Sequence, residues 1–261
     1  MPELNKREVL LIIANILQRK YSDIFFEDKI TFSKNQLNLF IEHIERLMVN
    51  EPLAKILESK EFYGLNYKTN KYTLDPRPET EFIVDVFQKY FPNKKTPLQI
   101  LDIGCGTGCI GLTVLALYKN AKALLVDIDQ NALEIAISNS KKHNLYARCR
   151  FTISNWFNDI TGKFDAILTN PPYIENDYNL DVNTLFDPKI ALFSGDDGLD
   201  AYRKILPNIV TFLQKDGIFI TEIGANQAKA VKKLAIDLKL LEIVRDLSGI
   251  ERTMVFSVND S

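Results

Sequence analysis

The sequence predicts an α/β protein: a doubly wound, mostly parallel sheet that ends in an antiparallel hairpin and follows a small helical domain. Three observations predict this fold. Apolar residues near the start recur at helical spacing, for example Val9, Ile12, Ile13 and Ile16. From residue 76 onward, short apolar strands alternate with helical segments, which is the pattern of βαβ units. Only residues 247–251 separate the last two strands, too few for a crossover, so these strands should pair antiparallel.

Residues 1–74 are predicted to form the helical domain, with a short hairpin that links it to the rest of the chain. Ser33 is placed to cap the second helix, and Gly64 marks the turn of the hairpin. The apolar face of the second helix is predicted to consist of Leu37, Phe40, Ile41, Ile44 and Leu47. Predicted helices span 4–20, 33–48 and 51–59, the hairpin spans 61–67, and 72–74 is extended.

Residues 75–261 are predicted to form the α/β domain. A polar break over 92–97 separates its first helix from its first strand. Strands are predicted over 98–103, 123–127, 147–153, 164–169, 217–222, 241–246 and 252–258. Helices are predicted over 79–90, 108–119, 130–143, 199–214 and 226–238.

Composition narrows the class of protein. The 261 residues are 46% hydrophobic and 25% charged, as in a folded globular protein. Lys and Arg number 32 against 34 Asp and Glu, and the net charge of -2 argues weakly against broad electrostatic binding of nucleic acid. The first residues lack the layout of a signal peptide, and the apolar stretches are too short to span a bilayer. We therefore expect a cytoplasmic protein.

Cysteine and histidine offer little chemistry. An odd count of three cysteines fits reduced thiols better than a disulfide framework. Cys105 and Cys109 have no second cysteine pair or histidine near them in the sequence, so no metal site is expected. His43 and His143 lie in helical patterns among charged residues, and both are predicted to be at the surface.

A glycine-rich loop follows the first predicted strand of the α/β domain. Gly104, Gly106 and Gly108 stand where the strand turns into a helix, and such a turn needs positive φ angles and close backbone approach. The loop directs helix N–H groups at the carboxyl edge of the sheet, where open α/β sheets bind ligands. Asp102 precedes the loop and is expected to order it. Residues 106–111 also match G-x-G-x-x-G, so a dinucleotide ligand stays open.

An acidic residue ends the next strand. Asp127 can accept two hydrogen bonds from ribose hydroxyls, which supports a nucleoside ligand without choosing between S-adenosylmethionine and NAD. Asp129 is predicted to cap the helix that follows. Asp102 favours S-adenosylmethionine, because D-x-G-x-G-x-G is similar to the first motif of methyltransferases.

The segment Asn170-Pro-Pro-Tyr173 follows a buried strand and should lie at the same edge of the sheet. Two prolines fix φ and remove two donors, and a residue before proline is held extended. The Asn170 side-chain oxygen and the Pro171 carbonyl can then each accept one N–H of a planar NH2 group, while Tyr173 packs on its flat face. This arrangement predicts methylation of an amide or an aromatic amine, for which alignment matters more than an acid.

The chain resembles the HemK-type glutamine N5-methyltransferases that act on peptide chain release factors. The resemblance covers nearly the whole chain and rests on several motifs. These are Arg77 to Glu81, similar to R-P-[DE]-T-E; Leu101 to Gly108; Asn170 to Ile174, matching N-P-P-Y-I; Phe186 to Leu192 with Gly195 to Leu199; and Gly249 to Arg252.

This resemblance implies the class I S-adenosylmethionine-dependent methyltransferase fold. It implies methyl transfer from S-adenosylmethionine to the glutamine of Gly-Gly-Gln in a release factor, with residues 1–74 recognising the substrate and 75–261 binding the cofactor. The implied cofactor contacts are Gly104, Cys105, Gly106, Thr107, Gly108, Asp127, Asn155, Trp156 and Asn170. The implied catalytic residues are Asn170, Pro171 and Tyr173, and Pro172 joins them in binding the substrate.

The chain departs from the family's pattern at three positions. Asn155 stands where an aspartate is usual, and its oxygen can still accept from the adenine amine. In the stretch Pro52 to Glu58, similar to P-L-x-Y-x-x-G, Lys55 replaces the aromatic residue and Glu58 replaces the glycine.

Other functions stay open. An adenine-N6 methyltransferase acting on DNA or RNA would also place a planar NH2 beside N-P-P-Y, but the net charge and the absence of an evident basic recognition domain count against it. The substrate glutamine could belong to a ribosomal protein instead. An NAD-dependent dehydrogenase and a non-catalytic binding module complete the alternatives.

Overall fold

The computed structural model describes residues 4–259. Contacts within the chain define two compact units. One unit runs to Ser59 and takes in Leu180–Phe186, and the other consists of Lys60–Asn179 and of the chain from Asp187 onward. The predicted boundary after residue 74 therefore falls inside the larger unit. The physical reason is that Phe62 and Tyr67 of the hairpin belong to the core of that unit.

From residue 4 onward, the smaller unit contains four α-helices. They are α1 (Lys6–Ile16), α2 (Tyr21–Phe25), α3 (Lys34–Met48) and α4 (Leu53–Ile56). Ser33 caps α3 as predicted: its hydroxyl accepts from the N–H of Gln36, and its own N–H donates to the Gln36 side chain. This capping box satisfies two N–H groups that the first turn of a helix leaves free.

Two of the predicted helices of the smaller unit are too long. The first ends at Ile16 because Gln18 has a φ of +54°, which a right-handed helix does not allow, and the unpredicted helix α2 follows it. The third helix is reduced to α4, because Glu58 has a φ of +48° and Ser59 already begins a strand.

The predicted face of α3 is partly wrong. Phe40, Ile44 and Leu47 pack into the cores of this unit, but Leu37 and Ile41 are exposed. His43 is buried, contrary to the prediction of a surface residue. The inward-facing stripe of α3 thus consists of the buried His43 and the partly buried Phe40, Ile44 and Leu47, which share one side of the helix.

Glu58 and Lys55 are the two positions of the smaller unit at which the chain departs from the family pattern. The left-handed φ of +48° at Glu58 is the conformation for which glycine is favoured, and the family motif has glycine at this position. Lys55 is buried within the same unit. Both substitutions therefore stand at positions where the local backbone or burial constrains the residue type.

Up to residue 259, the described part of the larger unit contains nine strands and five α-helices. The strands are β1 (Ser59–Phe62), β2 (Leu65–Lys68), β3 (Gln99–Ile103), β4 (Lys122–Asp127), β5 (Cys149–Ile153), β6 (Phe164–Thr169), β7 (Leu213–Glu222), β8 (Leu238–Arg245) and β9 (Glu251–Val258). The helices are α5 (Glu81–Tyr90), α6 (Cys109–Leu117), α7 (Gln130–Lys142), α8 (Asp200–Phe212) and α9 (Ala228–Leu234). Short 3-10 turns at Pro78–Thr80, Tyr146–Arg148, Val182–Phe186 and Lys189–Ala191 were not predicted; the third of these lies in the smaller unit.

Seven strands form one sheet in the order β5-β4-β3-β6-β7-β9-β8. Strands β3 to β7 pair parallel, whereas β9 pairs antiparallel with both β7 and β8. The predicted antiparallel hairpin at the end of the chain is confirmed. The two-stranded hairpin of β1 and β2 is also confirmed, with Gly64 at its turn at a φ of +75°.

The sheet separates two hydrophobic cores. Along β3, Ile100 belongs to one core and Leu101 to the other, because successive side chains of a strand point to opposite faces. Helices α5, α6 and α7 contribute to the first core, and α8 and α9 contribute to the second. Helices on both faces of a largely parallel sheet confirm the predicted doubly wound architecture.

No helix between residues 4 and 259 has the length and apolar content that crossing a bilayer requires. Across the same residues, no group of three or more histidine, cysteine, aspartate or glutamate side chains is placed to hold a metal ion.

Candidate functional site

The carboxyl ends of the parallel strands meet at one edge of the sheet, and a cavity of about 350 Å³ opens there. A cavity of this size is within the range of small-molecule sites. Its walls lie within the larger unit. They include residues 72–77, Thr80, 103–107, Cys109, Ile110, 127–129, 154–156, Asn170, Pro172 and several residues between 190 and 204.

The glycine loop forms the floor between β3 and α6. Gly104, Gly106 and Gly108 have φ angles of +66°, +53° and +77°, as the sequence predicts. A β-carbon on Gly106 would meet no atom within 4 Å, and one on Gly104 would reach only the Trp156 ring at 4.0 Å. The backbone at these two glycines therefore borders open space.

The other glycines of the loop serve packing. A β-carbon on Gly108 would stand 3.0 to 3.2 Å from Leu112, Leu125 and Ala136. One on Gly111 would stand 2.9 Å from a carboxylate oxygen of Asp102. Gly108, predicted as a cofactor contact, is thus required by the close approach of α6 to the sheet and is not among the residues that line the cavity.

Asp102 holds the start of α6. Its Oδ2 accepts a hydrogen bond of 2.9 Å from the N–H of Gly111, which lies in α6 and not in the loop that Asp102 was predicted to order. The side chain is fully buried and its Oδ1 has no hydrogen-bond partner among the described residues. Burial raises the pKa of Asp102 to about 7.

Asp127 ends β4 at the cavity. Its two carboxylate oxygens accept from the backbone N–H groups of Gly106, at 2.8 Å, and of Asp129, at 3.0 Å. Burial raises the pKa of Asp127, and these hydrogen bonds oppose that shift. Each oxygen keeps a further lone pair that can accept from a ligand hydroxyl. Asp129 caps α7 as predicted, accepting from the N–H of Asn131.

The segment after β5 supplies an aromatic wall. Asn155 and Trp156 both line the cavity, and Trp156 adopts a left-handed φ of +56°. The Ser154 hydroxyl donates to the Trp156 carbonyl and accepts from the N–H of Asp159. This bracing holds the ring beside Gly104.

The Asn170-Pro-Pro-Tyr173 segment follows β6 on the same edge. Asn170 and Pro172 line the cavity, Pro171 is buried, and Tyr173 lies against the second core. The Asn170 side-chain nitrogen donates to the Thr80 hydroxyl at 3.0 Å. The Tyr173 hydroxyl donates to Glu222 at 3.2 Å. The amide of Asn170 therefore has its oxygen free of these contacts.

The backbone of Tyr173 is also held. Its carbonyl accepts a hydrogen bond of 2.9 Å from the Gln227 side chain. Gly198, at a φ of +70°, passes so close to this carbonyl that a β-carbon there would collide with it. The loop over 194–198 thus locks the conformation of the segment.

Residues 77–186 match the family model described as Methyltransferase small domain. A release factor glutamine methyltransferase of Agrobacterium fabrum is 35% identical, over 94% of this chain and 88% of that protein. The chain belongs to the release factor glutamine methyltransferase family.

Two further relatives describe the extent of the similarity. A bifunctional methyltransferase of Rickettsia conorii is 32% identical over 96% of this chain, which spans about half, 53%, of that longer protein. A methyltransferase structure from Pyrococcus furiosus shares the fold at 18% identity, with a TM-score of 0.57 over 82% of this chain and 97% of that one. The predicted class I methyltransferase fold is confirmed.

The fold of this chain brings most of the predicted site residues together. One cavity is lined by nine of them: Gly104, Cys105, Gly106, Thr107, Asp127, Asn155, Trp156, Asn170 and Pro172. The lining does not include the other three, which are Gly108, Pro171 and Tyr173. The cysteines of the loop are free thiols. Burial raises the pKa of Cys109 to about 12, so this thiol is neutral at ordinary pH.

Two residues of the site were missed. Thr80 and Glu222 are buried side chains joined by a hydrogen bond of 2.6 Å, and together they contact both Asn170 and Tyr173. Burial raises the pKa of Glu222 to about 7, and hydrogen bonds from Thr80 and Tyr173 oppose that shift. Thr80 could have been found because it belongs to the Arg77 to Glu81 motif. Glu222 could have been found because it is an acidic residue at the end of a predicted strand on the ligand edge.

The same motif anchors a further loop of the larger unit. Arg77 forms an ion pair of 2.5 Å with Asp187, whose other carboxylate oxygen accepts from the N–H of Asp75 at 3.3 Å. The Asp187 side chain is 1% exposed, so the pair is partly withdrawn from water. The ion pair connects two motifs of the family resemblance, Arg77 to Glu81 and Phe186 to Leu192.

Proposed function

We propose that this protein methylates the N5 amide nitrogen of the glutamine in the Gly-Gly-Gln motif of peptide chain release factors, with S-adenosylmethionine as the donor. The observation that carries the proposal is the presence of Asn170 and Pro172 in the wall of the cavity that also holds the glycine loop, Asp127 and Trp156. Family membership supports the substrate, since relatives over 88% to 94% of their own length are named release factor glutamine methyltransferase.

The cavity fits S-adenosylmethionine. Open space above Gly104 and Gly106 leaves room for a ligand against the loop backbone. The spare lone pairs of the Asp127 oxygens match the two hydroxyls of a ribose. Trp156 offers an aromatic face to the adenine, and Asn155 can accept from the adenine amine.

The protein's own groups align the substrate. Bound S-adenosylmethionine supplies a methyl group on a positively charged sulfonium centre. The Asn170 side-chain oxygen and the Pro171 carbonyl each accept one N–H of the glutamine amide, which orients its nitrogen and increases electron density there. Tyr173 packs against the flat face of the amide. In this reaction the nitrogen would form the new N–C bond as the methyl–sulfur bond breaks, and the electron pair of that bond would stay on sulfur as a neutral thioether. The nitrogen would then release one proton to water, leaving a neutral N-methyl amide.

The partner in this proposal is a protein in the cytoplasm, where release factors act. The helical N-terminal residues recognise it, and direct binding of nucleic acid plays no part. Several basic side chains form ion pairs with acidic ones: Lys89, Arg203, Arg245 and Arg252. This pairing reduces the positive charge that could bind a phosphate backbone.

The proposal is tested in parallel reactions that each contain the protein and radiolabelled S-adenosylmethionine. The first reaction also contains a release factor, the second a ribosomal protein fraction and the third duplex DNA. Label is expected in the release factor, and in a variant release factor lacking the glutamine it should be absent. Label that appears only in DNA or only in a ribosomal protein would overturn the substrate.

The mechanism is tested with Asn170→Ala. Methyl transfer should be lost, while the fold and much of the S-adenosylmethionine affinity remain, because the substitution removes the acceptor of the substrate N–H. The matched control is Asn208→Ala, an exposed residue that bonds to its own helix. Undiminished turnover of Asn170→Ala would refute the role of this amide.

A further inference from the structure

Thr80 occupies a buried position beside the reacting segment. It ends the 3-10 turn Pro78–Thr80, is 3% exposed and lines the cavity. Its hydroxyl lies between two partners: the Glu222 carboxylate at 2.6 Å and the Asn170 side-chain nitrogen at 3.0 Å. A single hydroxyl thus links the end of β7 to the amide after β6.

The direction of these hydrogen bonds follows from the groups themselves. An ionised carboxylate only accepts, so the one proton of the Thr80 hydroxyl points to Glu222. Toward Asn170 the Thr80 oxygen can then only accept, which requires the NH2 end of the Asn170 amide to face Thr80. The oxygen of that amide is left as the end that can meet a substrate. With the amide turned over, its NH2 would oppose the NH2 of the substrate.

We propose that Thr80 and Glu222 are positioning residues that fix which end of the Asn170 amide faces the substrate. The proposal rests on the proposed function, because it assigns this orientation to the recognition of a substrate that donates N–H. It gives the Arg77 to Glu81 motif a role in the reaction through Thr80.

Glu222 is suited to this task by its surroundings. Its side chain is 1% exposed, and its second oxygen accepts from the Tyr173 hydroxyl at 3.2 Å. Its backbone carbonyl accepts from the Tyr202 hydroxyl at 2.8 Å, which holds the end of β7 in place. One carboxylate therefore restrains both ends of the Asn170-Pro-Pro-Tyr173 segment.

The test compares Thr80→Val, which keeps the shape but removes the hydroxyl, with Thr80→Ser, which keeps the hydroxyl. In Thr80→Val the kcat for the accepted substrate should fall on the order of 100-fold, since the amide loses its fixed orientation. The dissociation constant of S-adenosylmethionine should change little. Thr80→Ser should recover most of the lost kcat, which a role in packing alone does not predict.

The matched control is Thr113→Val. Thr113 is also buried and its hydroxyl is hydrogen-bonded, but its partner is Tyr67 and it does not line the cavity. Its kcat should stay near that of the wild type once stability is matched by lowering the temperature. This control separates the loss of a buried hydroxyl in general from the loss of this one.

Two outcomes would overturn the proposal: a kcat unchanged in Thr80→Val, or a kcat as low in Thr80→Ser as in Thr80→Val. Failure of the proposed function is recognised separately, because the wild type would then leave the Gly-Gly-Gln glutamine unlabelled. In that event the Thr80 variants are compared on whichever N–H donor the wild type methylates, and the same two outcomes decide.

Discussion

The carboxylate of Asp127 accepts a hydrogen bond of 2.8 Å from the backbone N–H of Gly106. This contact ties the end of β4 to the glycine loop that follows β3. The residue proposed to hold the ribose therefore also shapes the loop beside it, so that the two sides of the proposed cofactor site form one structure.

Asp127→Asn should weaken S-adenosylmethionine binding. Asparagine has one acceptor oxygen, so its NH2 must face the N–H of Gly106, the N–H of Asp129 or a ligand hydroxyl. We expect the dissociation constant, measured by calorimetry, to rise by at least about tenfold, or ~1.4 kcal/mol. The exposed Asp216→Asn is the control. Equal affinities in the two variants would exclude Asp127 from the cofactor site.

Trp156 should report the ligand directly. It is the single tryptophan of the sequence and it lines the cavity, so intrinsic tryptophan fluorescence comes from the proposed adenine site alone. Titration with S-adenosylmethionine should change that emission, and Trp156→Phe should bind more tightly than Trp156→Ala because it retains a ring. Binding detected by calorimetry with no change in emission would place the ligand elsewhere.

Gly198→Ala should damage the reacting segment. A β-carbon there combines a left-handed φ of +70° with a collision with the Tyr173 carbonyl. Gly249→Ala is the matched control, because its φ is +80° and a β-carbon would meet nothing within 4 Å. The control should lose about 1–2 kcal/mol of unfolding free energy and keep its kcat.

Gly198→Ala should lose more stability than this control, and its kcat should fall as well. Urea unfolding and initial rates measure the two effects. A Gly198→Ala protein as active and as stable as Gly249→Ala would show that the loop yields without moving Tyr173.

The pH dependence of turnover should reflect Glu222, whose pKa burial raises to about 7. Below that pH the carboxyl is protonated and must donate to Thr80 or Tyr173, which upsets the direction of the hydrogen bonds to Asn170. The kcat should therefore fall as the pH drops through about 7. The charges that face this carboxyl are those of Arg252 and Glu79.

Glu222→Gln separates this group from Asp102, whose pKa burial also raises to about 7. The amide does not titrate, so the variant should have a lower kcat without the inflection near pH 7. An inflection of unchanged size in Glu222→Gln would assign the pH dependence to Asp102 or to the substrate.

Part of the site was predictable because its residues lie at or shortly after the ends of consecutive strands. Gly104 and Asn170 come directly after β3 and β6. Asp127 ends β4, and Trp156 lies shortly after β5. The carboxyl ends of these parallel strands meet at one edge of the sheet. Alternating strands and helices are enough to place such residues together. The ends of helices were harder to predict. Gln18 and Glu58 end helices because they have positive φ angles, which are unusual for glutamine and glutamate.

Local pattern by itself determined the doubly wound sheet, the glycine loop and the stiff Asn170-Pro-Pro-Tyr173 segment, because periodicity, glycine and proline act on the backbone near them. Tertiary structure alone decided that Thr80 meets Glu222, 142 positions away, and that their hydrogen bonds orient Asn170. The physical reason is that a buried polar group needs a hydrogen-bond partner, and this partner can come from a distant part of the chain. The register of β7 beside β6 depends on such distant contacts, whereas a motif depends on neighbouring residues.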